Sequence, residues 1–172
     1  MFYRGKKRTA TRLEAGRQGG FSLIELLIVV AIILIIAAIA IPNLLRSKIA
    51  ANEASAVGSV RTYSTGFITY NALCPSIGYP AVLSDLGPGT GQCLGGAAIV
   101  DPVLGAANPL KAGYKFVYLP TPDGQGINVT YVMNADPVTL GVTGNRGFYS
   151  DNSGTIRYAI GAAATVASSP LQ

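Results

Sequence analysis

The sequence predicts an α+β protein in which one long, bent N-terminal helix packs on a small antiparallel β-sheet. Three observations lead to this prediction. A basic segment precedes an uninterrupted apolar run of helical length. Helical periodicity then continues beyond a proline. The C-terminal half alternates short strand patterns with turns rich in glycine and proline.

The net charge of +5 is concentrated at the N-terminus. Residues 1–20 contain six bases and one acid, so the remaining 152 residues contain seven charges of each sign and are neutral. This distribution excludes a uniformly basic domain, and the hydrophobic fraction of 49% excludes a disordered chain. We therefore predict no nucleic-acid partner.

The apolar run is long enough to cross a membrane as a helix. Residues 26–41 are all apolar, and within residues 21–41 the only polar side chains are those of Ser22 and Glu25. A helix of this length spans about 30 Å, the thickness of a bilayer core. Because most nearby bases precede the run, the positive-inside rule places the N-terminus in the cytoplasm and the rest of the chain across the membrane.

Three kinds of segment combine a basic start with an apolar run. A secretory signal peptide has a shorter apolar region and a small-residue cleavage site, which residues 38–40 imitate. A plain membrane anchor explains the length but not Glu25. A leader that is removed just before the apolar run explains both features.

Residues 19–30, GGFSLIELLIVV, closely resemble the processing and methylation signature of type IV pilins and pseudopilins. The similarity continues through AAIAIP at residues 37–42 and covers about residues 19–60. The resemblance implies that a membrane peptidase cuts between Gly20 and Phe21 and N-methylates Phe21. It also implies the same helix-plus-sheet architecture.

Glu25 is the one charge inside the apolar helix. An unpaired carboxylate in a membrane helix costs several kcal/mol, and such residues are usually functional. Cleavage would expose a cationic amine on Phe21, one turn away, so the natural partner of Glu25 is the amine of a neighbouring subunit. The alternative is a glutamate that reaches the membrane interface near the helix end. Leu34 stands where family members often have glycine, which predicts a stiffer helix.

Helical periodicity continues beyond Pro42, which we expect to kink the helix rather than end it. The predicted apolar face comprises Leu45, Ile49, Val57, Val60, Ser64, Phe67 and Ile68. The predicted wet side comprises Arg46, Lys48, Asn52, Glu53, Ser59 and Arg61. We expect one bent helix over residues 21–73, with residues 21–41 in lipid or a filament core and the second half packed on the sheet.

The only cysteines, Cys74 and Cys93, flank a loop-rich stretch. An exported cysteine pair most simply forms a disulfide. Closing a loop of about 20 residues would stabilise the fold by roughly 3 kcal/mol. A zinc or redox site lacks further ligands, because the chain has no histidine and no C-x-x-C motif. A short helical turn is predicted at residues 81–86.

Four strands are predicted after the loop, at residues 114–119, 128–134, 147–150 and 155–160. The last two flank a hairpin turn at residues 151–154. Tyr114, Phe116 and Tyr118 share one face of the first strand. Val129, Tyr131 and Met133 share a face of the second, and Ile156, Tyr158 and Ile160 a face of the last. The tail, residues 162–172, is small and polar and is expected to fray.

The chain contains no signature of an enzyme. Without histidine it lacks the usual general base, and it contains neither a P-loop nor a GxSxG nucleophile motif. We predict no cofactor and no metal site. Turns at Asp123-Gly124 and at residues 151–154 offer oxygens for calcium, but such sequences are more often simply turns. Residues 128–130, Asn-Val-Thr, match a glycosylation sequon.

The predicted organisation is a cleaved basic leader at 1–20, a helix at 21–73 and an exported, loop-rich domain at 74–172. The expected function is that of a type IV pilus subunit, which polymerises through its helix. The expected partners are the prepilin peptidase and methyltransferase, which processes the chain, and the assembly machinery of the inner membrane. The alternatives are a pseudopilin of a type II secretion system and a monomeric, membrane-tethered periplasmic binding module. The precursor is expected in the inner membrane, and the mature subunit in an extracellular pilus or a periplasmic pseudopilus. The sequence leaves open motility, adhesion, DNA uptake, secretion and electron transfer as roles of the filament.

Overall fold

A computed structural model describes residues 20–171 of the chain. Its first element is helix α1, Leu23–Leu73, which has 51 residues and contains Pro42. Contacts divide the chain into two compact units, one ending at Ala40 and the other running from Ile41 to Gln172. The helix therefore contributes residues to both units. Its bounds are close to the predicted range of 21–73.

The described part of the first unit is the apolar beginning of α1. Its large apolar side chains between Leu23 and Ile39 are 45–81% exposed. Soluble proteins rarely expose a contiguous apolar surface of this extent. By length and composition, α1 is able to cross a membrane.

The second unit contains a six-stranded sheet in which each strand pairs antiparallel with the next, in the order β1 to β6. The strands are β1 Leu110–Lys111, β2 Tyr114–Pro122, β3 Asn128–Pro137, β4 Arg146–Asp151, β5 Arg157–Ile160 and β6 Ser169–Pro170. A 3-10 helix, Leu83–Leu86, lies in the loop before the sheet, within the predicted helical turn. The predicted α+β fold, a long N-terminal helix with an antiparallel sheet, is confirmed.

An aromatic core joins the second half of α1 to the sheet. The Phe67 ring lies 4.7 Å from that of Tyr118 and 4.5 Å from that of Tyr131, measured between centroids. Tyr63 lies 5.6 Å from Phe116 and donates a hydrogen bond to the carbonyl oxygen of Leu104 at 2.7 Å. Aromatic pairs at these distances add stabilisation beyond the area that they bury. The helix therefore covers the predicted buried face of β2 and β3.

Two predictions about the helix faces are wrong. Glu53 and Ser59, expected on the wet side, are 5% and 4% exposed. The Ser59 hydroxyl donates to the Ser55 carbonyl, and Glu53 has partners in the sheet. Leu45 and Ile68, expected on the apolar face, are 45% and 64% exposed. The reason is that the buried positions, among them Glu53, Val60 and Phe67, recur every three or four residues and form one face of the helix, beside which Ile68 lies.

Predictions for the strand ends and the tail also need correction. Val129 and Ile160 are 49% and 74% exposed, because they lie near strand ends. The tail does not fray over its whole length, since β6 pairs with β5 and Ala164 is 1% exposed. Backbone pairing and the burial of a small side chain hold this segment in place, and composition alone does not reveal either.

Candidate functional site

The predicted processing site lies at the beginning of α1. Gly20 and Phe21 precede the helix, Phe21 is 87% exposed, and a Cβ placed on Gly20 would meet no atom within 4 Å. The junction between them is thus open to another protein. The rest of the predicted leader, residues 1–19, lies outside the described residues.

Glu25 makes a local contact with the backbone in addition to its predicted role in assembly. Its Oε2 accepts a hydrogen bond from the Ser22 backbone N–H at 2.9 Å, and Ser22 is the residue just before the helix. This is one half of a capping box, in which an acidic residue in the first turn satisfies a free backbone donor. The signal was present in the sequence as serine followed three residues later by glutamate.

Cys74 and Cys93 are bonded to each other, with their Cα atoms 5.7 Å apart. Cys74 follows directly after the last residue of α1, so the bond attaches the loop to the C-terminal end of the helix. The Tyr70 hydroxyl donates a hydrogen bond to the Cys93 carbonyl oxygen at the same place. The disulfide thus closes a loop between two cysteines that are 19 positions apart in the sequence.

The two candidate calcium turns use their carboxylates within the turns. Oδ1 of Asp123 accepts from the backbone N–H groups of Gln125 and Ile127, at 2.8 and 2.9 Å. Oδ1 of Asp151 accepts from the N–H of Ser153 at 2.9 Å. Among the described residues, no group of three or more acidic, cysteine or histidine side chains is arranged to hold a metal ion. Both carboxylates act here as turn caps.

The sequon asparagine, Asn128, is buried in the fold. It is 9% exposed, and its Nδ2 donates a hydrogen bond to the Tyr79 carbonyl oxygen at 2.9 Å. Its backbone N–H donates to the Ile77 carbonyl oxygen. A glycan on this buried nitrogen would need space that the fold does not leave, so the folded domain disfavours modification of Asn128.

A partly buried ion pair between Glu53 and Arg146, which no sequence motif predicts, joins α1 to the beginning of β4. Glu53 accepts from the backbone N–H of Asn145 at 2.8 Å and from Nε of Arg146 at 2.7 Å. The residue before Glu53, Asn52, donates a side-chain hydrogen bond to the Thr143 carbonyl oxygen at 2.9 Å. A glutamate among small helix residues resembles any exposed glutamate, because its partners lie 92 and 93 residues away in sequence.

The guanidinium group of Arg146 lies between two aromatic rings. Its Cζ is 5.6 Å from the centroid of Phe148 and 5.5 Å from that of Tyr158. Both distances suit cation–π contacts. Arginine on an aromatic face is held in a defined orientation, and the carboxylate of Glu53 adds a hydrogen bond at one edge of the group.

Burial also shifts the pKa of several groups in the second unit. Loss of hydration on burial raises the pKa of Tyr114 and of Tyr131 to about 12 each, and raises the pKa of Tyr63 and Tyr118 further. Desolvation likewise raises the pKa of Asp136, whose Oδ1 is buried without a hydrogen-bond partner. The phenol groups of the four tyrosines therefore remain neutral at any physiological pH.

A family model described as the prokaryotic N-terminal methylation motif matches residues 16–41. The match contains the Gly20–Phe21 junction, Glu25 and the apolar run. The chain carries the type IV prepilin-like signature at its N-terminus, and its α+β fold is of the kind found in type IV pilins. Neither the comparison with curated proteins nor that with solved structures found a match.

The signature and the apolar helix fit a precursor that is anchored in the inner membrane. They also indicate a structural subunit rather than an enzyme and imply processing by a prepilin peptidase.

Proposed function

We propose that the chain is a structural subunit of a type IV pilus, made as a prepilin and assembled through its apolar helix. The observation that carries the proposal is the methylation motif at residues 16–41, which leads into a helix whose apolar side chains are exposed. Such a surface requires lipid or neighbouring helices to cover it, and a polymer of the same chain supplies those helices.

In this proposal the peptidase cuts between Gly20 and Phe21 and methylates the new N-terminus. Glu25 then exchanges its bond to the Ser22 N–H for the amine of a neighbouring subunit. An opposite charge in an apolar surrounding stabilises the carboxylate more than a single amide donor does. The exchange would set the axial position of each subunit as it enters the filament.

Mass spectrometry of the mature N-terminus tests the processing step. We expect a chain that begins with methylated Phe21. A start near Ile41 would indicate an ordinary signal peptide, and an intact Met1 would indicate a plain membrane anchor; either result contradicts the proposal.

Charge reversal tests assembly separately from export. We expect Glu25→Lys to abolish fibres in electron micrographs while the disulfide-bonded domain is still exported and folded. Ser22→Ala is the matched control, because it leaves both the backbone N–H and the carboxylate. Intact fibres from Glu25→Lys would contradict the pairing of Glu25 with the neighbouring amine. A tethered binding module would form no fibres with either glutamate or lysine at position 25.

The location of the fibres separates a pilus from a pseudopilus. We propose the pilus, and therefore expect fibres outside the cell that contain this chain as detected by labelling. Assemblies confined to the periplasm would favour a pseudopilin of a type II secretion system instead.

A further inference from the structure

Arg146 lies where two surface cavities of the second unit meet. One, of about 640 Å³, is bordered by Glu53, Leu140 and Ile160 as well as Arg146. The other, of about 430 Å³, lies on the Tyr158 side and reaches the β6 segment. The Arg146 side chain is 35% exposed, so part of the guanidinium group borders these cavities.

The donors of Arg146 are only partly used. Within residues 20–171, its side chain donates a hydrogen bond through Nε, to Glu53, and its two terminal nitrogens have no acceptor. The aromatic rings of Phe148 and Tyr158 and the buried carboxylate hold the group in one orientation. An oriented guanidinium group with free terminal nitrogens matches the two oxygens of a carboxylate.

One side of the larger cavity is apolar, whereas Glu53, Asn145 and Arg146 form its polar side. Leu140 and Ile160 are 52% and 74% exposed, and Gly141 and Gly161 beside them leave the space open. Exposed aliphatic side chains next to a fixed cation favour a ligand that carries both an anion and an apolar group.

We propose that Arg146 anchors a binding site for a carboxylate whose neighbouring carbon carries an aliphatic side chain, the chemistry of the last residue of a peptide. The carboxylate accepts hydrogen bonds from the terminal nitrogens of Arg146, and the aliphatic group packs against Leu140 and Ile160. Glu53 positions the arginine through its hydrogen bond with Nε, which leaves the terminal nitrogens for the ligand. The site is independent of the N-terminal signature and of filament formation.

Binding is measured on the full-length chain in micelles of an uncharged detergent, using the Nε–H signal of Arg146 in protein labelled with ¹⁵N-arginine. The probes are N-acetyl-leucine, its uncharged amide, and acetate. We expect N-acetyl-leucine to shift the signal and to bind about tenfold more tightly than either of the other two, because only it offers both groups. Equal binding of acid and amide, equal binding of acetate, or no shift would overturn the proposal.

A variant at Ile160 tests the site without the risk that replacement of Arg146 unfolds the domain. Ile160→Asp places a like charge at the cavity mouth on a side chain that is already 74% exposed, and we expect it to weaken N-acetyl-leucine binding at least tenfold. Leu119→Asp is the matched control, since Leu119 is a strand residue with 61% exposure outside both cavities. Equal binding by the Ile160 variant and the wild type, or equal losses in both variants, would contradict the site.

Discussion

Glu53 shows how one side chain connects helix and sheet. Its side chain is 7% exposed and accepts two hydrogen bonds from the start of β4, one from a backbone N–H and one from a guanidinium group. Taking a carboxylate out of water is costly, and here the cost is offset by a charged partner and by a backbone donor. The pair defines the position of β4 along the helix, because only one register brings these atoms together.

We expect Glu53→Ala to lower the free energy of unfolding by about 2–3 kcal/mol, because it leaves Arg146 and the Asn145 N–H without their acceptor. The loss should fall below that for a fully buried pair, since Arg146 keeps access to water. Chemical unfolding of the full-length chain in detergent, followed by circular dichroism, measures it. Lys48→Ala, at an exposed helix position, is the control and should change stability by less than about 0.5 kcal/mol. Equal effects of the two variants would show that the ion pair adds nothing.

At the scale of elements, the disulfide attaches a long loop to the end of α1. The loop also carries the 3-10 helix Leu83–Leu86, whose Leu86 is fully buried in the core. Because the bond closes 19 residues of separation, it restricts the unfolded chain more than the folded one. The loop is thus a part of the core that depends on a covalent link.

We expect replacement of both Cys74 and Cys93 by serine to cost about 3 kcal/mol of stability. Thermal unfolding with and without a reducing agent measures the effect. The reduced wild-type protein should unfold at nearly the same temperature as the double variant, and the reducing agent should not affect the variant. A wild-type protein unchanged by complete reduction would contradict this expectation.

The burial of tyrosine side chains where α1 covers the sheet affects stability at alkaline pH. Tyr114 and Tyr131 have pKa values of about 12 in the fold, against about 10 in the unfolded chain. Between these two values the unfolded chain has lost protons that the folded chain retains. Linkage then requires the free energy of unfolding to fall as the pH rises from about 10 to 12, and stability from this source is complete below pH 10.

Absorbance titration of the phenol groups checks this consequence. In the native protein we expect a fraction of the tyrosines to ionise only near pH 12, whereas in denaturant all ionise near pH 10. Tyr131→Phe keeps the ring packed against Phe67 and should remove one late-ionising group. Native and denatured titration curves that coincide would contradict the burial of these groups.

At the scale of the whole molecule, the two compact units have different surroundings to satisfy. The unit that ends at Ala40 exposes apolar side chains, whereas the unit from Ile41 contains the hydrophobic core of the described residues, which begins at Ala56. The first needs lipid or neighbouring chains, and the second is complete in water. This division suits a subunit that is held in a membrane before it is assembled.

We therefore expect a fragment that starts at Ile41 to fold and to remain in solution without detergent. Near-ultraviolet circular dichroism should match that of the full-length chain in detergent, because fixed tyrosine packing produces that signal. Size-exclusion chromatography should give a monomer, since the exposed apolar surface of residues 23–39 is gone. Aggregation of the fragment, or loss of the near-ultraviolet signal, would show that the second unit depends on the first.

Local information in the sequence was sufficient for the N-terminal signature, the long helix and most strands. The Gly20–Phe21 junction, the apolar run and the alternation in β2 and β3 each depend on residues close together in the chain. Hydrophobic periodicity indicates the buried face of most strands, and charge asymmetry predicts a membrane orientation, without any knowledge of the tertiary contacts.

Only the tertiary structure decided the role of residues whose partners are far away in sequence. Glu53 became buried because β4 supplies two donors, and Asn128 because the segment before the sheet supplies an acceptor. The tail gained strand β6 because β5 had a free edge beside it. A single polar residue or a short polar tail has the same local pattern whether it is solvated or paired. The fold determines which of the two occurs, because it alone places a partner within hydrogen-bonding distance.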